Sequence, residues 1–178
     1  MAADCNNLPV PGVETDMYLI NTTDIDKGTS TIASGVLTSL ALVATKLGFK
    51  FSLTEDALFP NASLNTTGVI NTFTHSLRFI PPAFSQVAFT QIEGMMNGSV
   101  TCFFEKLQPA VNEFYVAGWV AGLTGNAMDL DPTNADRNGL PEITLQTAEN
   151  KRESGVFMQY LDTDLAASRT ALEATLTV

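Results

Sequence analysis

Few side chains in this sequence carry chemistry by their type and spacing. There is one histidine, His75, and no acidic or nucleophilic residue stands at a motif spacing around it. Histidine catalysis needs an orienting partner, and a single imidazole cannot build a His-rich metal site. His75 therefore reads as a structural or surface residue. Neither Gly-x-Ser-x-Gly nor Gly-x-x-x-x-Gly-Lys-Ser/Thr occurs, so there is no nucleophile elbow and no phosphate-cradling loop. Cys102 lies between Thr101 and Phe103 in an apolar run, the setting of an inert core thiol. Cys5 and Cys102 are far apart in the chain, and both read as free thiols of a protein assembled in a reducing cytosol.

The richest candidate is an acidic loop. Asn134-x-Asp136-x-Asn138-Gly139 matches the first half of a calcium loop, with Glu142 as a further oxygen donor. Leu145 stands where the bidentate glutamate belongs, and no helices flank the loop. Asx-rich turns have the same composition. The expectation is no metal, with Asn134, Asp136 and Asn138 as the calcium candidate. Glu149, Lys151, Arg152 and Glu153 read as a solvated turn. The separation that defines a glycosidase carboxylate pair is spatial, and the single Trp119, expected in the core, leaves little aromatic surface for a sugar cleft. A non-enzymatic protein without cofactors is expected.

The elements that would position these residues are mostly strands. Met17–Asn21 is a short apolar run stopped by Thr22-Thr23-Asp24, and 32–53 is rich in β-branched and aromatic residues. Phe49–Leu53, Phe73–Ile80, Ser99–Leu107, Glu113–Leu123, Glu142–Thr147 and Val156–Leu161 read as further strands. One helix is expected over about 82–96. Pro81-Pro82 suits a first turn, and Phe84, Val87, Ala88, Ile92 and Met95 recur at spacings of three and four. Residues 1–16 read as an extended arm, because Pro9 and Pro11 discourage helix and central strand alike. Residues 57–72, with Pro60 and several Asn, read as a long loop or insertion, and 129–139 as a polar loop. Asp164–Leu176 is open between helix and tail. Together these predict a mainly β (α+β) fold: an antiparallel β-sandwich or partial barrel with one packed helix, an N-terminal arm and a long loop.

The 178 residues suit one domain. Hydrophobic residues make up 45% and charged ones only 16%, against roughly 25% charged in an average domain. A surface so poor in charge is expected to be covered by neighbouring subunits. Net charge is −10, from 19 acidic and 9 basic residues, which disfavours sequence-specific nucleic-acid binding and anionic membranes. Met1–Asn7 lacks the basic start and apolar run of a secretion signal, and the longest apolar region, Val36–Leu47, is broken by Thr38, Ser39, Thr45 and Lys46.

Three stretches carry a family resemblance. Cys5–Gly12 followed by Tyr18–Asn21 and Asp24-Ile25-Asp26, then Glu113–Gly118 with Gly122-Leu123, then Gly139–Glu149, together resemble tail-tube-type virion proteins of tailed bacteriophages. The resemblance covers about half of the chain and leaves out residues 28–72. It implies one tail-tube-like domain over 1–178, assembled into rings, usually hexamers, that stack into a DNA conduit. The implied partners are copies of itself, other tail or neck proteins, and genomic DNA that passes without sequence-specific binding; no membrane is implied. Localisation would be the virion, assembled in the host bacterial cytoplasm. Leu8, Pro9 and Pro11 would be the subunit-contact arm, and Asp26, Glu55 and Asp56 acidic side chains facing the lumen. A neck, collar or head-decoration protein is the nearest alternative. A secreted carbohydrate- or calcium-binding β-sandwich module is the next, and a small hydrolase follows.

Overall fold

The computed structural model describes residues 13–53, 57–66, 71–81, 86–107, 113–148 and 150–176, and the side chains of these except at 86–88. Among them are eleven strands and two α-helices, so the fold is mainly β with packed helices. The strands are β1 (Val13–Asn21), β2 (Thr31–Ala33), β3 (Val36–Ser39), β4 (Phe49–Ser52), β5 (Leu58–Asn65), β6 (Thr72–Phe79), β7 (Val100–Lys106), β8 (Glu113–Ala117), β9 (Leu123–Asp129), β10 (Glu142–Thr147) and β11 (Met158–Tyr160). The helices are α1 (Gln86–Asn97) and α2 (Leu165–Glu173). Neither is long and apolar enough to cross a membrane.

All eleven strands join one open sheet that curls into a half-barrel, in the order β2-β3-β11-β8-β7-β9-β10-β6-β5, with β1 on the other edge of β7 and β4 beyond it. The pairings are antiparallel except β11 with β3. The curl encloses a first core of Met17, Leu19, Phe51, Leu77, Phe79, Cys102, Phe104, Ile143 and Leu145, which Ile92 and Met95 of α1 complete. Their spacing of three matches the apolar face expected of this helix; Phe84 lies outside the described residues. On the opposite face of β1, β7 and β8 a second core gathers Tyr18, Ile20, Phe103, Phe114, Val116 and Tyr160 under Leu172 of α2. That helix resolves the ambiguity at 164–176. Asp164 caps it by accepting from the Ala167 N–H at 2.7 Å.

Three sequence expectations are corrected. Most of the long loop expected over 57–72 is strand: Leu58–Asn65 forms β5, paired with β6 from Leu58↔Phe79 to Asn65↔Thr72, while 67–70 lie outside the described residues. Pro60 is tolerated because, among the described residues, β5 is an edge strand with no ladder bond to lose on its outer side. Val13–Asp16, read as the end of an extended arm, belong to β1, and the Leu53 N–H donates to the Thr15 carbonyl at 2.8 Å; the rest of the expected arm, 1–12, lies outside the described residues. The strand expected over 113–123 stops at Ala117 and turns, and β9 runs back from Leu123. Gly125 on β9 is required by packing: a Cβ there would lie 2.7 Å from the Met96 Cα of α1.

Candidate functional site

The chemistry-bearing residues gather in two places, the first held mainly by bonds to the backbone and the second by a capped turn and ion pairs. The first is a buried knot at the 118–122 turn. His75 on β6 is 2% exposed. Its Nδ1 accepts from the Gly118 N–H at 3.1 Å, which leaves Nε2 protonated and donating to the Gly155 carbonyl at 3.0 Å. Burial pushes the imidazole pKa down, so the ring is held neutral. Gly118 sits at φ +74, and a Cβ there would meet the Leu123 side chain at 2.8 Å.

Glu153 completes the knot and corrects the expectation of a solvated turn. It is 3% exposed, and its carboxylate accepts from the Val120 and Ala121 N–H groups at 2.9 and 2.8 Å. Lys27 donates to the Val120 carbonyl at 3.3 Å and lies 5.6 Å from the centre of the Trp119 ring. Trp119 itself is in the second core, as expected. Thr101 donates to the Gly118 carbonyl at 3.0 Å, and Thr147 accepts from the His75 backbone N–H at 3.1 Å. With both ring nitrogens bound and the carboxylate held by two backbone amides, the group fixes a turn.

The second place is the acidic loop. The Asn134 side chain accepts from the Asp136 and Arg137 N–H groups, and Asn138 takes the left-handed conformation that ends the short 3-10 turn. Arg137 pairs with Asp129 and reaches Glu142 at 3.9 Å. Asn134, Asp136 and Asn138 are thus brought into one turn, but a guanidinium occupies the neighbourhood of the nearest glutamate. Among the described residues no three His, Cys, Asp or Glu side chains cluster to hold a metal.

The other candidates are dispersed. Asp26 accepts from the Gly28 and Thr29 N–H groups and from the Thr29 hydroxyl at 2.7 Å, which lowers its pKa, the hydroxyl bond first. Its carboxylate therefore orders its own turn. Glu55, Asp56, Leu8, Pro9, Pro11, Cys5 and Glu149 lie outside the described residues. Cys102 is fully buried, and desolvation raises its thiol pKa far above the ordinary value, the inert state expected of it.

What the sequence pattern does not point to is a pair of sheet ends. Among the described residues β5 pairs only with β6, and β2 only with β3. Both carry exposed apolar side chains: Leu64 on β5 is 53% exposed and Ile32 on β2 is 47% exposed. Unpaired edges template association with another chain. No protein family, curated protein or solved structure matches this chain.

Proposed function

We propose that this chain is a structural subunit of tail-tube type, which associates with copies of itself into closed hexameric rings that stack into a conduit for DNA in a virion. The observation that carries this reading is that, among the described residues, β5 and β2 are unpaired edges with apolar side chains exposed at Leu64 and Ile32; β4, paired only with β1, is a third edge. Joining unlike edges of successive copies is a heterologous contact, which closes into a ring when the rotation allows. Closure through β2 and β5 would remove these two edges and cover a surface poor in charge.

The half-barrel is consistent with a channel between subunits, because its interior is filled by its own side chains from Met17 to Leu145. The excess of acidic residues suits a wall that must not retain a polyanion, since a basic wall would hold DNA through counterion release. Asp26, Glu55 and Asp56 are proposed to face that lumen, with the 1–12 segment and its Leu8, Pro9 and Pro11 contacting a neighbour. Other tail or neck proteins would be the further partners.

Negative-stain imaging and mass measurement of the purified chain over a range of concentrations test this. Six-fold rings or open tubes are expected. Trimers would point instead to a head-decoration protein, and a monomer at every concentration would overturn the assembly reading.

A further inference from the structure

The outer face of β9, β10, β6 and β5 is not covered by either helix, and its chemistry differs from the rest of this acidic chain. The register aligns Asn61, Ser76, Gln146 and Thr124 as one row across the four strands. Three inter-strand spacings make that row about 14 Å long. Two depressions lie along it, of about 490 and 450 Å³, and they share Thr74 and Gln146. Each is the size of a small-molecule site.

Among the described residues no carboxylate lines either depression, although the chain holds 19 acidic residues; Glu149, next to Ala148, lies outside the described residues. Among the described residues, Asn61, Ser63, Thr74, Ser76, Asn126 and Gln146 make no side-chain hydrogen bond to the protein. Thr74, Ser76 and Gln146 are half-buried, where an unmet polar group favours a ligand that both donates and accepts. Arg152, the one cation among the described lining residues, already donates to the Lys151 and Ala148 carbonyls at 2.7 and 3.4 Å.

We propose that this groove binds a neutral polyhydroxylated chain, a glycan, laid across the strands. Amides and hydroxyls on neighbouring strands match sugar hydroxyls, which are donors and acceptors at once. Their positions are fixed by the ladder, so little ordering is needed on binding. Leu64, exposed at one end of the lining, offers an apolar contact for a sugar face. The scarcity of cations separates this surface from a nucleic-acid site, which needs several phosphate contacts. An extended peptide would take the β5 edge, where free backbone groups lie, rather than the face. The inference is independent of ring formation.

The test is calorimetric titration of the whole chain with soluble hexasaccharides of glucose, mannose and N-acetylglucosamine, with a sulfated glycosaminoglycan hexasaccharide as the anionic probe. At least one neutral probe is expected to bind at millimolar concentration or below. Thr74→Val and Gln146→Ala should each weaken that binding about fivefold, the loss of one or two hydrogen bonds. Thr38→Val on β3 should leave it unchanged. Both groove positions face away from the cores, so unchanged thermal melts will show that the variants fold. Absence of binding by all neutral probes, binding that survives both groove variants, or binding of the sulfated probe alone would overturn the proposal.

Discussion

β1 and β7 are buried on both faces, whereas β6 and β10 are buried on one. Along β7 every residue from Val100 to Glu105 is buried, with Val100, Cys102 and Phe104 in the first core and Phe103 in the second. Along β6, His75, Leu77 and Phe79 are buried while Thr74, Ser76 and Arg78 alternate outward; β10 does the same with Ile143, Leu145 and Thr147. The first pattern is a near-continuous apolar run and the second a period of two. One half of the sheet therefore holds the molecule together, and the other leaves a face and an edge free for partners.

The largest effect expected is at the doubly buried centre. Phe103→Ala removes a side chain packed edge-on against Tyr160 at 5.6 Å and should cost about 3–5 kcal/mol in denaturant unfolding. Phe59→Ala on the open half removes a ring that is partly exposed and stacked on Arg78, and should cost less than about 1 kcal/mol. Similar costs at the two sites would break the comparison.

Ion pairs should separate the halves in the same direction. Glu105 is buried on β7 and pairs with Arg169 of α2, so Arg169→Ala takes the guanidinium away from a buried carboxylate. About half of the Arg169 side chain is in water, which reduces the expected cost to about 1–2 kcal/mol. Adding Glu105→Gln should recover part of it. Arg78→Ala on the open face breaks only the 3.5 Å pair with Glu142 and the stack on Phe59, and should cost below about 1 kcal/mol. Thermal unfolding of the three variants checks the ranking.

A pH dependence should come from the hinge between the halves, where His75 holds the turn at Gly118. Its folded pKa lies below the ordinary histidine value of 6.5 because the ring is buried. The unfolded chain then binds more protons than the folded one in the window just below 6.5. Stability is complete above that pH and falls as pH drops through 6.5 toward the folded pKa. Unfolding midpoints measured from pH 7.5 to 5.5 should therefore decrease, and a flat profile would show that the ring is not held neutral. His75→Gln should be less stable at pH 7.5 and lose this slope.

The two halves were also unequally legible. Apolar runs and alternation mark β1, β4, β6, β7 and β10 in the sequence, and β10 has the limits that the alternation gives, Glu142–Thr147. β5 is hidden by Pro60, Asn61 and Asn65, which are loop residues by composition and acceptable only because the strand is an edge. β9 is hidden by Gly125 and Asn126, which sit at the register shift opposite Thr144 and Leu145. Glu153 reads as a surface charge because its partners are backbone amides thirty-two and thirty-three residues away. What is obscure, β5, β9 and Glu153, is obscure because these residues answer to polar and backbone contacts instead of a packing period.

The smallest effect on stability should accompany the largest effect on assembly. Leu64 near the end of β5 is more than half exposed, and the strand has no described neighbour on its outer side. Leu64→Lys adds the kind of charge that blunts a sheet edge in natural proteins. It removes little buried area, so unfolding should change by no more than about 0.5 kcal/mol. A lysine meeting the apolar surface around Ile32 of the next copy would have to be desolvated without a partner, which disfavours the contact. Rings or tubes formed by the wild type should then be lost from electron micrographs while the thermal melt is unchanged. Retained assembly would move the contact away from β5 and leave the central strands with no special claim to stability over association. Loss of both together would mean that the open edge belongs to the folding core, and the contrast between the two halves would fail.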